Sequence, residues 1–197
     1  MILPIVAYGD PVLKKEAIEI DKKHPKLKEL ISDMFDTMYK ASGVGLAAPQ
    51  VAQSIRLFIV DTTPFHDDEE EEQEPMAEGC KDFKQVFINP IIEEEVGEEW
   101  SFNEGCLSIP KIREDVFRKP EILISYYDEN WKLKEERFSG FRARVIQHEY
   151  DHLDGILFTD HLSLLKKKLL VKKLNNISKG EINVDYRMKF PNQSKKR

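Results

Sequence analysis

Cysteine is scarce in this chain: 197 residues carry two, Cys80 and Cys106. Two cysteines exclude a disulfide framework and suit a reducing compartment, where a lone cysteine more often serves catalysis or metal binding. No apolar run reaches the length of a membrane-spanning helix, so no membrane association is expected. The opening residues, Met1-Ile2-Leu3-Pro4-Ile5-Val6, lack the charged start, long apolar stretch and small-residue cleavage site of a secretion signal, and a cytoplasmic location is expected. Positive charge is outnumbered before residue 161. From there on the chain holds 11 Lys/Arg against 2 Asp/Glu, a balance of +9, which leaves −15 on residues 1–160 within the net charge of −6. Such an acidic chain is no dedicated nucleic-acid binder, although its basic end can touch one. The length suits one domain with a real core, residues 1–197, and no internal repeat is visible.

The chain does contain Gln147-His148-Glu149-Tyr150-Asp151-His152, which includes His-Glu-x-x-His. On a helix, His148 and His152 lie one turn apart and point the same way, so both imidazoles can hold one metal ion. Glu149, beside the first of them, is placed to take a proton from a water that the metal activates, without being a ligand itself. The run from Phe141 to Ile146 has no Gly or Pro and supports the helix, and Asp154-Gly155 ends it. Phe141, Val145, His148 and His152 share a face, so the metal-binding face continues into an apolar one. A catalytic zinc-type site wants a third protein ligand and an open position. His24 and His66 lie far upstream in polar surroundings. His161 is near enough to be considered, but the metalloprotease pattern with a third His would need it at 158, which is Phe. That leaves cysteine. Cys106 sits in Asn103-Glu104-Gly105-Cys106-Leu107-Ser108-Ile109-Pro110, where Gly and Pro predict a tight turn with exposed backbone.

Along the rest of the chain, Pro25 is a plausible first-turn proline of a helix running to about Ala41, with Leu27, Leu30, Ile31, Met34, Phe35 and Met38 at helical spacing. Ser42 to Gln50 is rich in small residues and lets backbone approach something closely; it is not a phosphate loop, since no Lys-Ser/Thr follows. Arg56–Asp61 predicts a buried strand. Residues 62–84, with the acidic run 67–74, predict a solvated surface loop rather than a calcium site. Strands are expected at Gln85–Ile88, Ile91–Val96 and Asp115–Arg118. A hairpin is expected from Glu121–Tyr127 and Lys132–Phe138. Leu164–Ile177 predicts a final helix with Leu165, Leu169, Leu170, Val171, Leu174 and Ile177 as its apolar set and five lysines elsewhere on it. The tail from Gly180 is polar with some apolar residues. Strands and helices that do not alternate predict an α+β fold: antiparallel sheets around a central metal-binding helix, with an N-terminal and a C-terminal helix.

Three separated stretches, Gly43-Val44-Gly45-Leu46-Ala47-Ala48-Pro49-Gln50, Glu104-Gly105-Cys106-Leu107-Ser108 and Gln147 to Gly155, together resemble the signature motifs of the bacterial peptide deformylase family, in the same order. The likeness covers about residues 1–175; the acidic insertion and the end of the chain depart from it. The resemblance implies removal of the formyl group from the formyl-methionine of nascent polypeptides, with release of formate. It implies that Cys106, His148 and His152 bind one divalent metal ion and that Glu149 is the general acid/base. Gln50 and the Leu107 N–H would steady the oxyanion. Gly45 would bond substrate through its backbone, and Gly43, Val44 and Gly105 would share that site. Arg113 matches a position near the substrate, and we pair it with Glu104. Phe102, Phe141 and Val145 are expected to line an apolar slot for the Met side chain.

A sulfur and two nitrogens suit Zn²⁺, Fe²⁺, Co²⁺ or Ni²⁺, and the resemblance implies Fe²⁺ in the cell. A thiolate ligand blunts the activation of water, which makes Glu149 matter more. Two other classes share parts of this pattern. A zinc endopeptidase would draw its third ligand from Asp160, His161 or Glu181, and a structural zinc module would leave Glu149 without a purpose. A monomer is expected. The lysines of the last helix make contact with the ribosome an expectation too, since a concentrated anionic surface attracts them.

Overall fold

The computed structural model describes residues 1–63 and 81–192. The acidic run 67–74 and residues 193–197 lie outside the described residues. The described chain runs β1 (Ile5–Val6), α1 (Leu27–Lys40), β2 (Gly45–Ala47), β3 (Leu57–Asp61), β4 (Lys84–Val96), β5 (Trp100–Cys106), β6 (Ile109–Arg118), β7 (Glu121–Tyr127), β8 (Leu133–Ser139), α2 (Gly140–Leu153), α3 (Leu164–Ser178) and β9 (Met188–Lys189). Among the described residues no helix is long and apolar enough to cross a membrane.

The expected α+β architecture is what forms. Strands β2, β3, β4, β7 and β8 make one five-stranded sheet in that order, every neighbouring pair antiparallel. Successive side chains of a strand point to opposite faces. Here both faces are covered. Leu46, Leu57, Ile59, Val86 and Ile88 face Ile31, Met34 and Met38 of α1. Ala47, Phe58, Val60, Phe87 and Ile124 face Phe141, Val145 and Ile146 of α2. This explains why β3 reads as a continuous apolar run rather than an alternating one. Each fully buried Leu, Ile or Phe contributes roughly 1.5–3 kcal/mol relative to exposure, so the sheet holds α2 firmly against its face.

Several boundaries differ from expectation for local reasons. α1 starts at Leu27, because Lys26 is left-handed (φ 58°) and Pro25 stays outside the helix. The two strands expected around Asn89-Pro90 are one strand with a bulge between Ile88 and Ile91. Asn89 takes φ 48° there, and its side-chain amide exchanges two hydrogen bonds with the Ile20 backbone, 3.0 and 2.7 Å, which pins the bulge. The predicted turn before Pro110 is a hairpin: Cys106 pairs with Ile109, so Leu107-Ser108 is a two-residue connection and the strands extend back to Trp100 and Arg118.

The end of the chain departs most. On α3 only Leu170, Leu174 and Ile177 of the predicted apolar set are buried, while Leu165, Leu169 and Val171 are exposed. After it, Ile182, Val184, Tyr186, Met188 and Phe190 are half-buried in alternation with exposed neighbours. β9 then pairs in parallel with β1, Ile5 opposite Met188 and Val6 opposite Lys189. The segment therefore packs back onto the molecule.

Candidate metal centre and active site

The helical spacing of His148 and His152 on α2 sets both imidazoles on the face turned to the end of β5. The strand delivers Cys106 there. The ligand atoms of Cys106, His148 and His152 all lie within 4.8 Å of one another. Cys106 Sγ is 3.3 Å from His152 Nε2. Burial raises the Cys106 thiol, but the neighbouring His152 and His148 more than offset this and bring it down to about 5. The thiolate is the form that ligates metal. One sulfur and two nitrogens around one point fit a divalent transition ion. His161 takes no part: its Nε2 lies 2.8 Å from Asp151 Oδ2. Among the described residues no other group of His, Cys or acidic side chains forms such a cluster, so Asp160 and Glu181 are not ligands either.

Glu104 orients the first histidine. Its Oε2 accepts from His148 Nδ1 at 3.0 Å, which leaves the other ring nitrogen of His148 for the metal. The carboxylate is itself buried and held by two arginines. Arg118 donates from Nε to Oε1 at 2.7 Å and from a guanidinium nitrogen to Oε2 at 3.1 Å; Arg144 donates to Oε1 at 3.0 Å. Burial raises the Glu104 carboxyl, but hydrogen bonds from His148 and Arg118 outweigh it and hold it well below the usual carboxylate range. Arg118 continues to Asp151 at 2.8 Å, so a line of charge runs from His148 through Glu104, Arg118 and Asp151 to His161. The expected pairing of Arg113 with Glu104 does not form. Arg113 shares the Asn103 face of the hairpin, donating from Nε to Asn103 Oδ1 at 3.0 Å and also to the Asn103 carbonyl. Along a strand, Asn103 and Glu104 point to opposite faces, and Glu104 is the inward one.

A cavity of about 580 Å³ opens over this centre. Gly43, Val44, Gly45, Gly105, Leu107 and Arg113 line it, and so do Phe102, Phe141 and Val145. Phe102 and Phe141 meet at a tilt with ring centres 5.5 Å apart, forming an apolar side to the cavity. Glu149 is buried, and its Oε2 meets no hydrogen-bond partner among the described residues. Burial pushes the Glu149 carboxyl up to about 7 against the opposing pull of His148 and His152. Gln50 is anchored: its Oε1 accepts from the Ala47 N–H at 2.9 Å, which fixes its amide nitrogen towards Cys106 Sγ at 3.4 Å and Ser108 Oγ at 3.3 Å. All three motifs therefore meet at one place. The polypeptide deformylase family model matches residues 2–168.

The chain belongs to the polypeptide deformylase family. It is 64% identical over its full length, and over the full length of the relative, to a peptide deformylase of Christiangramia forsetii. It is 58% identical to that of Flavobacterium johnsoniae, with 96% of each chain covered. Among solved structures, a peptide deformylase from Legionella pneumophila superimposes with a TM-score of 0.76 at 36% identity, covering 92% of this chain and 98% of that one. One from Thermotoga maritima gives 0.71 at 38% identity, covering 83% and 99%.

The deformylase site contains residues that the motifs did not single out. Arg118 and Arg144 were invisible as partners because strand and helix register alone do not say which charges meet. Val184, Asp185 and Tyr186 also line the cavity. Their signal was the alternation from Ile182 to Phe190, which marks a half-buried extended segment.

Proposed function

We propose that this deformylase removes the formyl group from the N-terminal formyl-methionine of nascent polypeptides and releases formate. The observation that carries the reading is the orphaned, buried Glu149 carboxylate beside a Cys/His/His donor set at the floor of one cavity. Cys106, His148 and His152 would hold a divalent ion, which would lend the Lewis acidity that makes water nucleophilic near neutral pH. Glu149 accepts a proton from the attacking water as its oxygen bonds to the formyl carbon. The Gln50 amide and the Leu107 N–H donate to the formyl oxygen as charge builds on it. Glu149 then returns the proton to the departing amine as the carbon–nitrogen bond breaks. Losing one such oxyanion donor typically costs about 100- to 1,000-fold in rate. Phe102, Phe141 and Val145 take the Met side chain, and Val44 with the backbone of Gly43, Gly45 and Gly105 aligns the peptide.

The test is formate release from a formyl-Met peptide by freshly purified protein kept free of oxygen. No release by protein carrying one divalent ion per chain overturns the reading. We propose Fe²⁺ as the ion in the cell; metal analysis of anaerobically prepared protein showing fully active zinc enzyme would refute that. One catalytic unit acting as a cytoplasmic monomer is our reading of its organisation, which sedimentation and cell fractionation check. We further propose that the lysines of α3 contact the ribosome, where the substrate emerges. Lys168, Lys172 and Lys173 changed to Gln should weaken co-sedimentation with ribosomes at low salt and leave peptide deformylation unchanged. Equal sedimentation of both proteins would sink the idea.

A further inference from the structure

The Leu107-Ser108 turn joins β5 to β6 directly after the metal ligand Cys106. In a two-residue hairpin connection the central peptide is the one that the strand ladder does not hold. Here it is held from outside. The Tyr186 hydroxyl donates to the Leu107 carbonyl at 2.7 Å. Tyr186 itself is fixed: its ring packs against the α1 side of the core, and β9 follows it. Burial, aided by the nearby Cys106 charge, raises the Tyr186 phenol, so it stays a donor at neutral pH. The turn has two further supports. The Ser108 carbonyl accepts from the Tyr8 N–H at 2.8 Å. The Leu107 side chain rests on Gly43, where an added Cβ would come within 2.8 Å of Leu107 Cδ1.

We propose that Tyr186 is a positioning residue for the oxyanion donor: by holding the Leu107 carbonyl, it fixes the backbone of Leu107 and thereby the direction of the Leu107 N–H. The inference rests on the deformylase reading and deepens it. It assigns to the C-terminal segment, which folds back through β9, a part in catalysis that the three motifs do not contain. A donor aimed at developing charge acts in the transition state more than on bound substrate, so misaiming it lowers kcat and leaves KM in place.

The experiment compares wild type with Tyr186→Phe, which keeps the ring and its packing and removes only the hydroxyl. Both are assayed on a formyl-Met peptide, with metal content and melting temperature measured on the same preparations. One hydrogen bond lost at one remove from the reacting atoms predicts a fall in kcat of roughly 3- to 10-fold. KM and metal content should stay at wild-type values, and the melting temperature should fall by no more than about 2–4 °C, the effect of one lost hydrogen bond. An unchanged kcat overturns the proposal. So does a raised KM with unchanged kcat, which would make Tyr186 only a wall of the cavity. Metal content falling in step with activity, or a melting temperature lowered well beyond what one hydrogen bond accounts for, also overturns it, because the role is then structural. An inactive wild type would instead refute the underlying function, so the two failures are distinguishable.

Discussion

A Cβ placed on Gly45 would lie 2.5 Å from Glu149 Oε1 and 2.8 Å from its Cγ. β2 therefore passes over the carboxylate with only a hydrogen in between. The glycine in the first motif is explained by the glutamate in the third, and the contact fixes where Glu149 can place its oxygens.

Gly45→Ala should push the Glu149 carboxylate out of place without touching a metal ligand. A misplacement on the order of 1 Å at a reacting group costs roughly 100-fold in rate. We expect a fall of about that size in kcat, with metal content unchanged. Wild-type kcat in the alanine variant would show that Glu149 relocates freely.

Glu149→Ala separates binding from chemistry. Glu149 is not in the donor set, so the variant should hold one metal ion per chain and lose roughly 100- to 10,000-fold in turnover. Metal loss matching the loss of activity would remove the general-base role.

The third ligand is tested by contrast. Cys106→Ser should lose most of its metal, whereas His161→Ala should keep both metal and activity, since His161 pairs with Asp151 rather than facing the centre. The reverse pattern would move the site downstream of His152.

Glu104 links stability to pH. Its folded pKa is held below the ordinary 4.5, so the carboxylate contributes stability that is fully present above that value and is lost as pH falls through the lower, folded one. Glu104→Gln leaves Arg144 buried without its acidic partner and Arg118 with Asp151 alone, and stranding a buried charge typically costs about 3–5 kcal/mol. Unfolding of metal-free wild type and variant should show a gap near that size at pH 7, closing as pH drops below about 4.5. A gap independent of pH would mean that packing, not charge, is lost.

These features were not equally legible in the sequence. His148, Glu149 and His152 declare themselves because helical spacing alone puts them on one face. β3 and α1 do too, the strand through an unbroken apolar run and the helix through its periodicity. Arg144 does not. It is 2% exposed, yet it stands in an ordinary helical run, and its burial is made tolerable by partners remote in sequence: the Glu104 carboxylate and the Trp100 and Val116 carbonyls. Arg113 misled for the same reason: the family resemblance set it beside Glu104, but strand alternation turned it to Asn103. Asn89-Pro90 reads as a break because its partner, the Ile20 backbone, is remote in sequence. On α3, apolar spacing overstated burial, for Leu165, Leu169 and Val171 have nothing packed over them among the described residues.

The parallel pairing of β9 with β1 has a consequence for the making of the enzyme. Those two strands stand at nearly opposite ends of the chain, so their contact is among the last available to a polypeptide emerging from its N-terminus. The metal ligands and Glu149 are all synthesised earlier. A chain still being translated can thus assemble its donor set before Tyr186 reaches the Leu107 carbonyl. If Tyr186 aims the Leu107 N–H as proposed, synthesis order alone delays full competence until β9 has paired with β1.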